Sequence, residues 1–160
     1  MRRHERTVRG FLMRLAPSAS HADDLAQEAF LAAWTKAGSF GGHGRYRGWL
    51  LRIAWTTFLM DARSRRRRLP AWRGAGGGEA AEPVAAGSAE EDLIVRDALA
   101  RLRVGDRAAV TLCLVLGHSH GEAATILGTP LGTLKSRVAR GTRRLLELLG
   151  DENEEQPHGS

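Results

Sequence analysis

A run of 21 residues, Leu69 to Ala89 (LPAWRGAGGGEAAEPVAAGSA), splits this 160-residue chain and bounds what either side can fold into. It is rich in Gly, Ala and Pro and carries neither a helical nor a strand period, so residues 69–90 read as a flexible linker. Two blocks are left, 1–68 and 91–149, followed by an acidic stretch at 150–160 that is expected to be a disordered tail. Blocks of that size can each close one small core. Neither shows an alternating polar and apolar run of useful length. The expected fold class is therefore all-α, two small helical domains on a tether.

Three helices are predicted in the first block. Val8, Phe11, Leu12 and Leu15 recur at i, i+3, i+4, i+7 on a helix from about Glu5 to Leu15, which Ala16-Pro17-Ser18 ends. A second helix, about Ala22 to Ala37, carries Ala22, Leu25, Ala26, Ala29, Phe30 and Ala33 as one apolar stripe. Asp23 and Asp24 fall in its first turn on this reading, where negative charge suits the helix dipole. Gly38 to Gly48 breaks the pattern. The third helix, Trp49 to about Arg68, turns Leu50, Ile53, Ala54, Thr57 and Phe58 inward and ends in the run Arg63-Ser64-Arg65-Arg66-Arg67-Arg68.

The second block opens with helices predicted at about Glu90 to Leu102 and Asp106 to Leu116. Ser119-His120-Gly121-Glu122 then forms a capping box, Ser at the N-cap and Glu three residues on. It starts a short helix, Gly121 to Leu127, that Gly128 stops. Thr129-Pro130 supplies an N-cap and a first-turn proline for a last helix through Leu149. A short helix, a Gly-containing turn and a longer basic helix make a helix-turn-helix.

Charge narrows the partners. Residues 1–68 hold 14 basic and 5 acidic side chains, residues 91–148 hold 9 and 6, and the connector and tail are both net acidic. The whole chain carries +6 with a sequence pI near 10.8, which suits a polyanion such as nucleic acid or an anionic membrane. No apolar stretch approaches the ~20 residues that span a bilayer, and the opening MRRHERTVRG is too charged for a secretory signal. The single cysteine, Cys113, excludes a disulfide framework. A soluble, cytoplasmic protein without membrane insertion is expected.

Four groups of residues are candidates for function. On the last helix Leu134, Val138 and Leu145 share an inward face. Thr133, Lys135, Ser136, Arg137, Arg140, Arg143 and Arg144 supply donors elsewhere, and in such modules the helix start reads bases while later Arg side chains bind phosphate. The third helix ends in Arg63, Arg65 and Arg66. That run also satisfies the helix dipole without any ligand, and it suits an anionic membrane as well as DNA. Between helices two and three, Phe40, His43, Arg45, Tyr46 and Arg47 lie among four glycines, a mixture that stacks and holds unpaired bases or is merely a mobile connection. Neither the G-x-G-x-x-G nor the Walker lysine pattern is met there. Asp24, Gln27, Glu28 and Leu31, at i, i+3, i+4, i+7 opposite the apolar stripe, form either a solvated face or a dock for a basic surface. Cys113, His118 and His120 lack a fourth ligand at zinc spacing, so no metal and no cofactor is expected. Trp34, Trp49 and Trp55 are expected as core or boundary aromatics.

These residues resemble the extracytoplasmic-function sigma factors, the smallest members of the sigma-70 class. The resemblance lies in Asp23-Asp24-Leu25-Ala26-Gln27-Glu28-Ala29-Phe30-Leu31-Ala32-Ala33-Trp34, in Arg47-Gly48-Trp49-Leu50-Leu51-Arg52-Ile53-Ala54, and in the Arg run at 63–68. It continues in Gly121-Glu122-Ala123-Ala124-Thr125-Ile126-Leu127-Gly128 and Gly132-Thr133-Leu134-Lys135-Ser136-Arg137-Val138-Ala139-Arg140-Gly141. It implies a region 2 domain at 1–68 and a region 4 domain at 91–149. Asp24, Gln27, Glu28 and Leu31 would then grip core RNA polymerase. Phe40, Arg45, Tyr46, Arg47, Trp55, Thr56, Arg63, Arg65 and Arg66 would recognise and melt the −10 element, the loop holding a flipped base. Thr133, Lys135, Ser136, Arg137 and Arg140 would read the −35 element. Trp55-Thr56 stand where family members often carry Arg-Asn. The implied partners are core RNA polymerase, promoter DNA and an anti-sigma factor, and the implied function is transcription initiation without catalysis. The alternatives are a free-standing helix-turn-helix regulator of duplex DNA, and a nuclease, for which no metal-binding carboxylate cluster or nucleophile–base pair is present.

Overall fold

A computed structural model describes residues 2–42, 45–68 and 89–154, and among these every regular element is helical. The expected flexible linker, apart from its last two residues, and the end of the acidic tail lie outside the described residues, as do His43 and Gly44 of the Gly-rich loop. The described residues divide into two compact units, one of residues 2–68 with 125–128 and the other of residues 89–124 with 129–154.

In the first unit, α1 (Arg2–Leu15), α2 (Ala19–Thr35) and α3 (Tyr46–Arg68) pack pairwise around one core. The predicted α1 stripe Val8, Phe11, Leu12 and Leu15 is buried, with Phe11 and Leu12 wholly so. From α2 the core receives Leu25 and four alanines, Ala22, Ala26, Ala29 and Ala33. A stripe of methyl groups lets the neighbouring helices lie close while filling little volume, so the larger residues of α1 and α3 carry the packing. Ser18 starts α2, its Oγ accepting from the His21 N–H at 3.2 Å. That start is three residues earlier than predicted, which removes Asp23 and Asp24 from the first turn. Asp23 instead pairs with Arg9 of α1 at 2.6 Å. A single 3₁₀ turn, Ala37–Ser39, follows α2.

The third helix begins at Tyr46 rather than Trp49, because the Arg45 carbonyl already accepts from the Trp49 N–H. Its buried set is wider than the predicted face and adds Leu51 and Trp55. Asp61, partly buried, accepts from His21 Nε2 of α2 at 2.7 Å and from Arg65 Nε at 2.8 Å. Burial pushes the Asp61 carboxyl up, but the hydrogen bonds from His21 and Arg65 outweigh it and leave its pKa below the ordinary value.

In the second unit, α4 (Ala89–Ala100), α5 (Val104–Val110) and α7 (Leu131–Glu154) share a core in which Leu99, Leu102 and Val110 meet Leu145. The half-buried Arg107 donates to the carbonyls of Ala100 and Leu102, both at 3.0 Å, and so closes the C-terminal end of α4. A π turn, Thr111–Val115, extends α5, and Gly117 at φ 72° ends it. The capping box of α6 (His120–Leu127) forms in both directions. Glu122 N–H donates to Ser119 Oγ at 3.1 Å, and Ser119 N–H donates to Glu122 Oε2 at 3.3 Å. Gly128, at φ 60°, then closes α6 with the paired bonds Thr129 N–H to Ala124 O and Gly128 N–H to Thr125 O. The Pro130 carbonyl accepts the first bond of α7, one residue later than predicted. At its other end α7 runs five residues past Leu149, so 150–154 of the expected disordered tail is helical, Pro157 being the first helix breaker after Gly150.

Candidate partner and nucleic-acid surfaces

On α2 the residues Asp24, Gln27, Glu28 and Leu31 are all exposed on one side, as the spacing predicts. The surface there is broader than that quartet. Phe30, expected in the core stripe, is only half-buried, and Trp34, expected as a core or boundary aromatic, is 72 % exposed. With Gln27 and Leu31 they line a shallow apolar cleft of about 420 Å³. The buried alanine stripe explains the correction. Four small residues already satisfy the inward face, and the bulky side chains are rotated onto the outside. A contiguous exposed apolar patch beside two carboxylates is the kind of surface that partners cover.

The Gly-rich loop leads into an aromatic cluster. Tyr46 lies edge-on to Phe40, their centroids 5.4 Å apart, and tilted against Trp49 at 5.6 Å. Phe40 also meets Trp49 at 5.2 Å. His4 of α1 packs edge-on to Tyr46 at 5.4 Å. Neither Trp49 nor His4 was expected here. The i, i+3 spacing of Tyr46 and Trp49 on a helix was a usable signal for the first; nothing local marks His4. Arg45 and Arg47 flank the cluster at the start of α3.

Further along α3 the structure separates the remaining −10 candidates. Trp55 is corrected to a core position: 7 % exposed, it stacks on Phe58 at 5.8 Å and has no ring face to offer a base. Thr56 is exposed, its hydroxyl donating to the Arg52 carbonyl, and with Met60 and Arg63 it forms an exposed i, i+4, i+7 line. Arg66 is exposed, whereas Arg65 is held against Asp61. That ion pair makes Arg65 part of the packing of α3 on α2.

On α7, Leu134, Val138, Gly141 and Leu148 are buried and Leu145 partly so. The opposite, outermost line is Gly132, Ser136, Ala139 and Arg143, all exposed. Its first three members are small, which allows the helix backbone to approach a groove floor closely. Thr133 and Lys135 are exposed on either flank, and the Ser136 hydroxyl donates back to the Gly132 carbonyl at 3.1 Å. Arg137 lies over Gly105 of α5, where a Cβ would stand 3.1 Å from the guanidinium carbon. Arg140 grips the buried Asp106 of α5 with both ends of its guanidinium, at 3.0 and 3.4 Å. Arg137 and Arg140 therefore position α7 against α5 as well as facing outward. Gly141 faces α5 and allows this approach, since a Cβ there would lie 2.5 Å from Val110 Cγ2.

Among the described residues no group of His, Cys, Asp and Glu is placed to hold a metal ion. Cys113 is half-buried and burial pushes its thiol pKa up. His118 is engaged by Glu122 at 3.1 Å.

Two compact helical units with an apolar cleft, an aromatic cluster and a capped helix-turn-helix define a two-domain, nucleic-acid-binding class of protein. Comparison with known proteins sharpens this. Residues 1–68 match the family described as Sigma-70 region 2, and residues 92–145 match Sigma-70, region 4. The ECF RNA polymerase sigma factor SigM of Mycobacterium tuberculosis is 38 % identical over 151 residues, covering 93 % of this chain and 74 % of that one. The RNA polymerase sigma factor CarQ of Myxococcus xanthus is 33 % identical over 153 residues, covering 93 % and 86 %. In structure, the chain is similar to the sigma factor RpoE of Bartonella quintana, solved in complex with the anti-sigma factor NepR. The TM-score is 0.81 at 32 % identity, over 92 % of both chains. The chain belongs to the extracytoplasmic-function sigma factors of the sigma-70 family, a family of transcription initiation factors that direct RNA polymerase to promoters.

Proposed function

We propose that the two units divide the work of initiation between three surfaces. The α2 face of Asp24, Gln27, Glu28 and Leu31, extended by Phe30 and Trp34, docks on core RNA polymerase. The carboxylates orient a basic partner surface and the apolar cleft supplies the buried area. The cluster of Phe40, Tyr46 and Trp49, with Arg45 and Arg47 beside it, captures an unpaired base of the −10 element by stacking, with cations near the backbone. Thr56, Arg63 and Arg66 continue this surface along α3. The outer line of α7, flanked by Thr133 and Lys135, enters the major groove at the −35 element.

The observation that carries this reading is the helix-turn-helix, capped in both directions and presenting small residues on the outside of its second helix. Melting draws on capture of unstacked bases, and the chain itself catalyses nothing. It works in the cytoplasm, and no helix among the described residues is long and apolar enough to cross a membrane. An anti-sigma protein is a further partner, as NepR is of the Bartonella factor.

The test is transcription by purified core polymerase from a promoter panel, with and without this protein. Protein-dependent transcripts confined to a subset of promoters are expected. Binding of duplex DNA without any stimulation of core polymerase would favour a free-standing helix-turn-helix regulator.

A further inference from the structure

Beside the candidate −35 surface, the corner between α4 and α5 and the middle of α7 enclose an open cleft of about 320 Å³ whose walls are mostly arginine. We propose that this cleft binds the sugar-phosphate backbone of duplex DNA flanking the bases that α7 contacts, with Arg103 and Arg143 as the phosphate ligands. The proposal rests on the groove-binding reading of α7 and adds residues of the α4–α5 corner to it.

The charges in the cleft sort into those already paired and those that are not. Arg140 is neutralised by Asp106 at 3.0 Å, Arg144 by Glu147 at 3.2 Å, and Arg101 by Asp97 at 2.9 Å. The guanidiniums of Arg103 and Arg143 make no hydrogen bond or ion pair among the described residues, and both residues are exposed. Both carboxylates in the wall, Asp106 and Glu147, are thus engaged, and two guanidiniums remain to face an anion. Guanidinium suits phosphate because its planar fork donates in pairs and it stays charged at any working pH.

Position favours DNA over a small anion. Arg143 lies on the same outer line as Gly132, Ser136 and Ala139, the line proposed to face the groove floor. It is ten residues beyond Thr133, which on a helix is about 15 Å. The major groove is about 12 Å wide. A helix that places its first turns on base edges therefore brings Arg143 to the groove wall, where the phosphates are, and Arg103 approaches that wall from the other side of the cleft.

The test measures binding of the full chain to a random-sequence 30-base-pair duplex by fluorescence anisotropy across a salt series. Arg103→Ala and Arg143→Ala are each expected to lower the magnitude of the slope of log K against log salt by about 0.9, the value for one phosphate contact. The double variant should lose about twice that, and Arg143→Lys, which keeps the charge, should retain the slope. Circular dichroism of each variant controls for folding. An unchanged slope in the folded double variant would overturn the proposal. So would calorimetric binding of tripolyphosphate that these variants abolish while leaving the DNA slope intact, which would assign the cleft to a free polyphosphate. A duplex selected from a random pool separates this proposal from the reading of α7. If Lys135→Ala leaves the preference for it unaltered while the slopes fall, the base-reading fails and the cleft stands; the reverse pattern overturns the cleft alone.

Discussion

The two units reach stability by different routes. The first holds its three helices with a shared apolar core, and its α2 contributes mostly alanine to it. Three further bulky groups lie outside, Leu31, Trp34 and Met60 each being more than 60 % exposed. The second adds local devices at the ends of its short helices, the reciprocal Ser119–Glu122 cap, the positive-φ Gly117 and Arg107 across the end of α4, and a long-range Asp106–Arg140 pair that ties α7 to α5. A short helix gains too little from propagation to stand without such ends. The difference follows from the work proposed for each unit. One exposes apolar surface to a large partner and unpaired bases; the other holds one helix at a fixed angle.

Four substitutions sharpen this comparison, and the tryptophans supply a built-in probe. Of the four tryptophans, Trp34, Trp49 and Trp55 lie in the first unit, Trp72 lies outside the described residues, and none lies in the second unit. The largest effect is expected for Phe11→Ala. Phe11 is fully buried, and its loss should cost about 3–5 kcal/mol and bring the tryptophan-detected urea transition to much lower denaturant. Gly141→Ala should cost about 1–3 kcal/mol by overpacking against Val110 and the Asp106 carbonyl. There the helical signal in circular dichroism should fall at lower urea than the tryptophan signal. Equal shifts of both signals would contradict the assignment of separate cores. Ser119→Ala should cost about 1 kcal/mol through loss of the α6 cap.

The smallest effect concerns pH. The folded-state pKa of Asp61 is depressed, so its contribution is fully present above the unfolded value of about 3.9 and is lost as pH falls through the folded one. Asp61→Asn should therefore flatten the fall in melting temperature below about pH 4. An identical acid limb in the variant would show that the His21–Asp61–Arg65 cluster contributes nothing.

Sequence patterns disclosed the second unit more fully than the surfaces of the first. Caps and stop signals are local, so α6, its turn and α7 were placed to within a residue or two at their shared corner. Helix rotation is not local. Apolar residues fall all round α3, among them Leu50, Leu51, Ile53, Trp55, Leu59 and Met60, so periodicity could not say that Trp55 turns inward while Met60 turns out. On α2 the outward placement of Trp34 depends on alanines having already filled the interior. The pairing of Arg140 with Asp106 spans 34 residues, and the contact of His4 with Tyr46 joins two helices; neither leaves a trace in spacing. Charge and motif pointed to the candidate segments, and packing decided which of their side chains stay exposed.

On this reading, polymerase docking and duplex reading reside on separable surfaces of the two units. The most direct measurement pairs co-elution with core RNA polymerase and duplex binding for two variants, Leu31→Asp/Trp34→Asp and Lys135→Ala. The first variant should lose core polymerase at least tenfold while retaining duplex affinity, and the second should keep core polymerase and lose discrimination between promoter sequences. Loss of both activities in either folded variant would contradict it.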